Sequence, residues 1–141
     1  MTDINQKTFA DLEVGEKAEF QIQITEQMIN DFSRLSGDYN PLHTDRDYAK
    51  TTQFKGVIAH GMITGPLFSR LIGMYLPGMY SLYISQSIFF HKPINIGSNV
   101  SVSGEITQKV DSTDVVKIST QIKDSTGLVL VSGEAMVKLL K

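Results

Sequence analysis

The first regular pattern along the chain is an alternation of hydrophobic and polar residues over positions 18–25. Ala18, Phe20, Ile22 and Ile24 alternate with Glu, Gln and Gln. Successive side chains of a β-strand point to opposite faces, so a period of two is typical of a strand with one buried face. The pattern predicts a half-buried strand over these residues.

A helical pattern follows directly. Met28, Phe32 and Leu35 recur at intervals of four and three residues, which places them on one face of a helix. Thr25 precedes this run and is a residue type that caps helix N-termini, while Gly37 follows it and is typical of a helix end. The sequence therefore predicts an amphipathic helix between Thr25 and Gly37.

The next segment is predicted to be a loop followed by a short helix. Residues 38–43 contain Asp, Asn and Pro, which favour turns. Thr44 and Asp47 have the spacing of a capping box, in which each residue pairs with backbone amides at the start of a helix. We expect this box to begin a short helix over 45–51.

A long apolar segment marks the middle of the chain. Its hydrophobic residues at 62–75 spread around the whole helical wheel, and Arg70 is the one charged residue among them. Such a helix is expected to be buried on nearly all sides. Gly61 stands at its start, and Pro77 with Gly78 ends it.

The remaining residues are predicted to form strands. Leu82, Ile84, Ile88 and Phe90 share one face of the first of them. The segments DSTD and DSTG are rich in turn formers, and their shortness implies antiparallel neighbours. Four alternating segments are expected to form these strands: 80–92, 99–107, 115–122 and 128–140.

Together these elements predict an α+β fold with a curved antiparallel sheet wrapped around a long central helix. A helix that is apolar on nearly all sides needs a surface that surrounds it, and a curved sheet provides one. The chain has 141 residues, of which 41% are hydrophobic, enough for one core. Since no linker or repeat interrupts the sequence, we expect a single domain over 1–141.

Composition excludes several classes of function. The 13 basic and 15 acidic residues give a net charge of −2 without a basic run, which argues against nucleic-acid binding. The absence of cysteine excludes disulfides, thiolate catalysis and cysteine-based metal sites. The N-terminus is polar, and no apolar run approaches the roughly 18 residues of a membrane span. We therefore expect a cytoplasmic protein.

The segment SGDYNPLHTD carries the clearest candidate chemistry. Asp38 and His43 lie five residues apart in the predicted loop, which Asn40 and Pro41 restrict. Histidine exchanges protons near neutral pH, and a nearby carboxylate can orient it or share its water. The same residues also suit a purely structural turn, so spacing alone leaves both interpretations open. A metal site is disfavoured because the sequence does not assemble three or four ligands.

A second candidate feature is the start of the central helix. The Gly61 amide has no intrahelical acceptor, so it can donate to a carbonyl oxygen that gains negative charge. His60 is expected to be a hydrogen-bonded structural histidine, and His91 a surface or interface residue. Ser69 lies two helical turns further on, where it either presents its hydroxyl to Asp38 or bonds its own backbone.

The motif SGDYNPLHTDRDYA followed by GVIAHGM resembles the MaoC-like, R-specific enoyl-CoA hydratases, also called type-2 hydratases. The segments FADLEVGEKAEFQIQITEQMINDF, LPGMYSLYISQSIFFHKPINIGSNV and SGEAMVKL are similar to the same family, so the resemblance covers nearly the whole chain. It implies the hotdog fold, in which a curved antiparallel sheet surrounds a long helix. Ser98 departs from the pattern, because many members have an acidic residue there.

The resemblance implies the reversible addition of water to trans-2-enoyl-CoA, giving (R)-3-hydroxyacyl-CoA. Asp38 and His43 would hold and activate the water, with His43 as the base and Asp38 sharing the water and the proton delivered to C2. Gly61 would donate its N–H to the thioester oxygen, Ser69 would orient Asp38, and Asn40 would hold the loop. The resemblance implies no metal and no bound cofactor.

The resemblance also bears on substrate binding and assembly. The acyl pocket would be lined by Ser69, Ile72, Gly73 and Val137, and Lys55 is a candidate contact for the CoA diphosphate. The family implies a homodimer with CoA near the subunit boundary, in fatty acid metabolism or the supply of polyhydroxyalkanoate precursors.

Three alternatives to this function stay open. The first is a dehydratase with the same chemistry that acts on 3-hydroxyacyl groups attached to acyl carrier protein. The second is a non-catalytic hotdog module that binds acyl-CoA, although an intact Asp38 and His43 pair argues against it. The third is a hotdog thioesterase, which would release a free thiol.

Overall fold

The computed structural model describes residues 3–141, which contain both helices and strands. Its elements, in order, are the 3₁₀ turn Phe9–Asp11, β1 (Lys17–Gln23), α1 (Glu26–Ser36), α2 (Pro41–Thr44), α3 (Arg46–Thr51), the 3₁₀ turn Gly61–Ile63, α4 (Thr64–Arg70), the π-helical turn Leu71–Tyr75, β2 (Ser81–Gln86), β3 (Phe89–Phe90), β4 (Asn99–Val110), β5 (Val115–Asp124) and β6 (Val129–Leu139).

The strands form one antiparallel sheet in the order β1-β4-β5-β6-β2, and β3 also pairs with β6. The register aligns buried hydrophobic residues across the sheet: Val102 lies opposite Ile122, and Ile122 lies opposite Val131. Cross-strand rows of this kind stabilise a sheet and fix its register. The predicted strand before α1 and the predicted antiparallel strands after the two turns are confirmed.

The first strand predicted in the second half is divided in two. β2 and β3 both pair with β6, but β2 contains a register shift between Tyr83 and Ser85, and residues 87–88 separate the strands. At this break the Ser87 carbonyl lies so close to Gly133 of β6 that a Cβ at position 133 would overlap it. The alternation of the sequence continues across the break, so periodicity alone predicted one strand.

Helix α1 is confirmed, with one correction to its buried face. The Thr25 hydroxyl accepts a hydrogen bond from the Met28 amide, and Gly37 ends the helix in the left-handed conformation at φ 77°. Ile29 is fully buried, whereas Leu35 is 83% exposed. Leu35 therefore lies outside the buried face that the repeat of Met28, Phe32 and Leu35 had indicated, because that face is centred on Ile29.

The cap of the short helix α3 also differs from the prediction. The Asp45 carboxylate, and not the Thr44 hydroxyl, accepts from the amides of Asp47 and Tyr48 at 2.9 and 3.0 Å. Thr44 instead donates to the carbonyl of Asn40. It belongs to α2, an additional helical turn within the predicted loop, so the start of α3 shifts by one residue.

The 3₁₀ turn Gly61–Ile63, α4 and the π-helical turn follow one another without interruption. They form a 15-residue helix, called the central helix below. Its buried side packs against both hydrophobic clusters of the sheet: Phe68 contributes to a cluster with Val102 and Ile122, and Ile72 to a cluster with Ile118 and Val137. The predicted arrangement of a sheet packed against one long helix is confirmed.

The sequence had indicated that the central helix is buried on nearly all sides, but the structure shows one exposed side. Met62, Pro66, Ser69 and Arg70 are exposed and form one stripe along it, because residues three and four apart share a helix face. We call these four residues the exposed stripe. The sheet and α1 cover the opposite side. Met62 and Pro66 of the stripe are apolar, and for this reason the sequence predicted a helix buried on nearly all sides.

Within residues 3–141, the structure contains no helix with the length and apolar character required to cross a membrane.

Candidate active site

The loop that follows α1 is held by a chain of side-chain to backbone hydrogen bonds. Ser36 Oγ accepts from the Asp38 amide at 3.1 Å, and Asp38 Oδ1 accepts from the Asn40 amide at 3.1 Å. Asn40 Oδ1 in turn accepts from the Leu42 amide at 3.0 Å and so caps α2. These local bonds fix the backbone that carries Asp38 and lead it directly into the helical turn that carries His43.

His43 is held by one ring nitrogen, and the other forms no hydrogen bond within residues 3–141. Its Nδ1 lies 2.8 Å from the carbonyl oxygen of Ile58. Because a carbonyl oxygen only accepts, Nδ1 carries the proton in this bond, and Nε2 of the neutral ring is then an acceptor. The ring is therefore oriented as a base that acts through Nε2.

His60 is buried behind this pair, with 2% of its surface exposed. Its Nε2 lies 3.0 Å from the backbone oxygen of Asp38 and 3.2 Å from Ser33 Oγ. Its ring centroid lies 4.1 Å from that of His43 and 4.8 Å from that of Phe32. The prediction of a hydrogen-bonded structural histidine is confirmed, although its contacts with both candidate catalytic residues were not foreseen.

A carboxylate oxygen of Asp38 and one ring nitrogen each of His43 and His60 lie within 4.8 Å of one another. A water about 2.8 Å from two groups can bridge such a separation. The sequence had not suggested three potential metal ligands in this region, and the structure brings them together. His60 Nε2, however, already faces the Asp38 carbonyl, so the geometry suits proton transfer through a shared water better than metal coordination.

Gly61 faces the same space from the start of the central helix. Within residues 3–141, no acceptor pairs with its amide, as expected for the first residue of a helix. A Cβ at this position would lie 3.0 Å from the Phe90 ring, so the glycine allows Phe90 to pack over the helix start. A cavity of about 270 Å³ opens here, lined by residues that include His43, Phe54, Gly61, Thr64, Phe90 and Val131.

The structure places the other predicted pocket residues away from this cavity. Ser69 is exposed and lies eight positions after Gly61, which corresponds to about 12 Å along an ideal helix. Ile72 and Val137 are fully buried in the core, and Gly73 beside them is half-buried. None of the four lines the 270 Å³ cavity. The predicted hydrogen bond from Ser69 to Asp38 is not formed within residues 3–141.

Lys55 lies in a second depression on the other side of His43, with a volume of about 850 Å³. Two other cations there have carboxylate partners: Arg46 contacts Glu26 at 3.0 Å, and Lys50 contacts Asp47 at 3.5 Å. Among the described residues, Lys55 forms no salt bridge. Its ammonium is therefore available to an anionic group that approaches His43 from this side.

Comparison with known proteins identifies the family that this fold and site define. Residues 9–127 match the family described as MaoC like domain, and the chain belongs to this family. The chain is 40% identical over 128 residues to the (R)-specific enoyl-CoA hydratase of Aeromonas caviae, covering 91% of this chain and 96% of that protein.

The fold matches as closely as the sequence. The unliganded R-hydratase PhaJ1 of Pseudomonas aeruginosa superposes with a TM-score of 0.90 at 39% identity, over 94% of this chain and 84% of that one. A mitochondrial 3-hydroxyacyl-[acyl-carrier-protein] dehydratase of Arabidopsis thaliana is 32% identical over 127 residues, or 88% of this chain and 75% of that protein. The predicted hotdog fold and family are confirmed.

Proposed function

We propose that the protein is an (R)-specific enoyl-CoA hydratase, a hydro-lyase that adds water to trans-2-enoyl-CoA and catalyses the reverse dehydration. The observation that carries the proposal is the grouping of the Asp38 carboxylate and a His43 ring nitrogen within 4.8 Å of each other. His43 also lines a cavity together with Gly61, whose amide has no acceptor within residues 3–141. The family membership and the similarity to R-hydratases support the same reaction.

The hydration step assigns one task to each group. His43 Nε2 takes a proton from water while the water oxygen bonds to C3 of the enoyl group. The C2=C3 electrons then move toward C1, and the Gly61 amide donates to the thioester oxygen, which becomes an enolate oxygen. Asp38 shares the water and accepts the proton that His43 has taken, then delivers it to C2, so that both side chains return to their initial protonation states. The net change is the addition of one water molecule.

The substrate is held by residues on both sides of His43 in this proposal. Lys55 contacts the CoA diphosphate in the 850 Å³ depression, where its charge has no carboxylate partner among the described residues. The acyl chain extends toward the central helix near Ile72, Gly73 and Val137. Ile72 and Val137 are packed in the core, and Gly73 lies beside them. An acyl chain that binds there must therefore displace these residues.

We also propose that the active form is a homodimer. The exposed stripe includes Met62, which is 56% exposed, and the edge strand β2 exposes Leu82 and Ile84 by 52% and 53%. Such apolar surface on an edge strand favours pairing with a second copy. Since Ser69 is exposed in the stripe, we infer that its predicted role in orienting Asp38 operates across this dimer.

The activity is tested by mixing the purified protein with crotonyl-CoA and following the loss of the conjugated enoyl-thioester absorbance. We expect turnover by the wild type and a large loss in Asp38→Asn and His43→Gln. No turnover of short or medium enoyl-CoAs would reject the hydratase function. If both variants fold and keep wild-type rates, the site assignment is wrong even though the activity stands.

A second candidate is the same reaction on acyl carrier protein, which the similarity to the plant mitochondrial dehydratase favours. The two functions are separated by comparing rates on crotonyl-CoA and on the same acyl group attached to the carrier protein. Faster turnover of the carrier-bound substrate would assign the dehydratase. Release of free thiol would indicate a thioesterase, and binding without turnover would indicate an acyl-CoA-binding module.

A further inference from the structure

His60 lies beside Asp38, His43 and Gly61 and is one of the residues that line the 270 Å³ cavity, but its ring nitrogens are directed at the Asp38 carbonyl and into a buried environment. Its Nε2 lies 3.0 Å from the Asp38 carbonyl, its ring lies 4.1 Å from that of His43, and Gly61 is the next residue in the chain. On its other side the ring contacts Phe32 and Ser33 of α1. One side chain therefore joins α1, the Asp38 loop, α2 and the start of the central helix.

The hydrogen bonds of His60 define the position of its proton. The Asp38 carbonyl only accepts, so Nε2 must donate to it, and Ser33 Oγ can accept a second, longer branch of the same donor. Nδ1 is then a lone pair, and it is buried without a partner within residues 3–141. A proton on Nδ1 would be a buried donor without an acceptor, which is unfavourable. The hydrogen bonds therefore define the Nε2–H tautomer of His60.

The two stacked histidines consequently hold opposite tautomers. His43 carries its proton on Nδ1, which donates to Ile58, while His60 carries its proton on Nε2, which donates to Asp38. His43 is left with an acceptor near the cavity, and His60 with an acceptor in the core. The first arrangement suits a base and the second suits a fixed support.

We propose that His60 is a positioning residue that sets the spacing of Asp38, His43 and Gly61. The proposal rests on the hydratase function inferred above. Its physical basis is that the loop bonds of Asp38 are local, through Ser36 and Asn40, whereas the bond from His60 ties this loop to the start of the central helix. A displacement of about 1 Å in a reacting group can lower a rate by about 100-fold.

Two substitutions separate the hydrogen bond from the ring. His60→Phe keeps an aromatic ring against His43 but loses the donor, and His60→Gln offers an amide donor at similar reach without the ring. We expect His60→Phe to lower kcat by about 10- to 100-fold with a much smaller change in KM, and His60→Gln to recover part of that loss. Wild-type kcat in folded His60→Phe would overturn the proposal.

Thr120→Val provides a matched control for the loss of a buried polar group. Thr120 is fully buried in the sheet and accepts a hydrogen bond from Gln86 at 3.0 Å, and it does not line the 270 Å³ cavity. We expect this variant to lower the melting temperature without changing kcat. An equal loss of kcat in Thr120→Val and His60→Phe would show a general stability effect and contradict the positioning role.

A double-mutant cycle tests whether His60 acts through Asp38. The Asp38→Asn variant has no carboxylate for His60 to position. Adding His60→Phe to it should therefore reduce kcat by much less than the same substitution does in the wild type. Fully additive losses would contradict the proposal. A wild type without hydratase activity would contradict the proposed function. An active wild type whose kcat is unchanged by His60→Phe would instead contradict only the positioning role of His60.

A spectroscopic measurement covers the case in which His60→Phe does not fold. Long-range ¹H–¹⁵N correlation spectra of the wild type report which ring nitrogen of each histidine carries the proton. We expect Nδ1–H for His43 and Nε2–H for His60 in the same sample near neutral pH. An Nδ1–H tautomer of His60 would show that the bond to Asp38 is not formed and would overturn the proposal independently of activity.

Discussion

The Gly61 position can be perturbed by a single methyl group, and the structure determines how much space that group has. In Gly61→Ala the added Cβ would lie 3.0, 3.2 and 3.3 Å from three carbons of the Phe90 ring. Carbon atoms in optimal contact lie about 3.5 Å or more apart, so the ring must move by about 0.5 Å. Phe90 is 53% exposed, and overpacking should cost about 1 kcal/mol, near the lower limit for buried sites.

The effect on activity should be larger than the effect on stability. The methyl group and the displaced ring occupy the space through which a thioester oxygen reaches the Gly61 amide. Removing such a donor typically costs about 100-fold or more in rate, and this substitution obstructs the donor without removing it. We therefore expect kcat/KM on crotonyl-CoA to fall by about 10- to 100-fold, or about 1.4 to 2.7 kcal/mol of transition-state stabilisation.

Gly65→Ala on the same helix is the matched control. A Cβ at position 65 would meet no atom within 4 Å in this chain, and alanine favours helix formation over glycine by about 1 kcal/mol. We expect wild-type kcat/KM and an equal or higher melting temperature. Wild-type activity in folded Gly61→Ala would refute the role of the Gly61 amide, and equal losses in both variants would show that the helix as a whole is sensitive.

Three further predictions concern the base, the sheet and the assembly. His43→Asn can keep a side-chain donor to the Ile58 carbonyl but lacks a base, so kcat/KM should fall by about 10²- to 10⁴-fold in steady-state assays, and wild-type kinetics would exclude general-base catalysis by His43. Gly133→Ala should prevent stable folding, as measured by circular dichroism, because its Cβ would overlap the Ser87 carbonyl oxygen; a wild-type melting temperature would show that the β2–β3 break can relax. Leu82→Glu should convert the proposed dimer to a monomer in light scattering, since a charge would enter an apolar surface; an unchanged mass would place the interface elsewhere.

The sequence predicted those parts of the fold that depend on local patterns. The alternation of hydrophobic and polar residues predicted β1 and the strands β4, β5 and β6. Thr25 and Gly37 predicted the start and the end of α1. The candidate loop was also recognisable, because Asp38, Asn40 and His43 are polar residues at fixed spacing near one proline.

The remainder depends on contacts between distant segments. Thr44 and Asp45 are both competent caps, and only the observed backbone shows that Asp45 accepts from two amides. The role of His60 follows from its position against Ser33, Asp38 and His43, which are 17 to 27 residues away in the sequence. A hydropathy pattern also does not show which apolar residues of a helix meet the sheet and which, such as Met62 of the exposed stripe, are left exposed within one chain.

The N-terminal segment gives a second case of long-range contact without a local signal. Lys109 Nζ donates to the carbonyl oxygens of Phe9 and Leu12 at 2.8 and 2.6 Å, and it lies 4.4 Å from the centre of the Phe9 ring. In the sequence Lys109 is one charged residue at the end of an alternating strand. Its role in holding the first turn against β4 becomes visible only in three dimensions.

The most direct test of the account is the stereochemistry of the product formed from crotonyl-CoA and water. The similarity to R-specific hydratases predicts that the wild type forms (R)-3-hydroxybutyryl-CoA, as measured by chiral chromatography of the hydrolysed product. The site assignment also predicts that Asp38→Asn and His43→Asn lose this product while remaining folded. Formation of the S enantiomer, or no hydration at all by the wild type, would contradict the account.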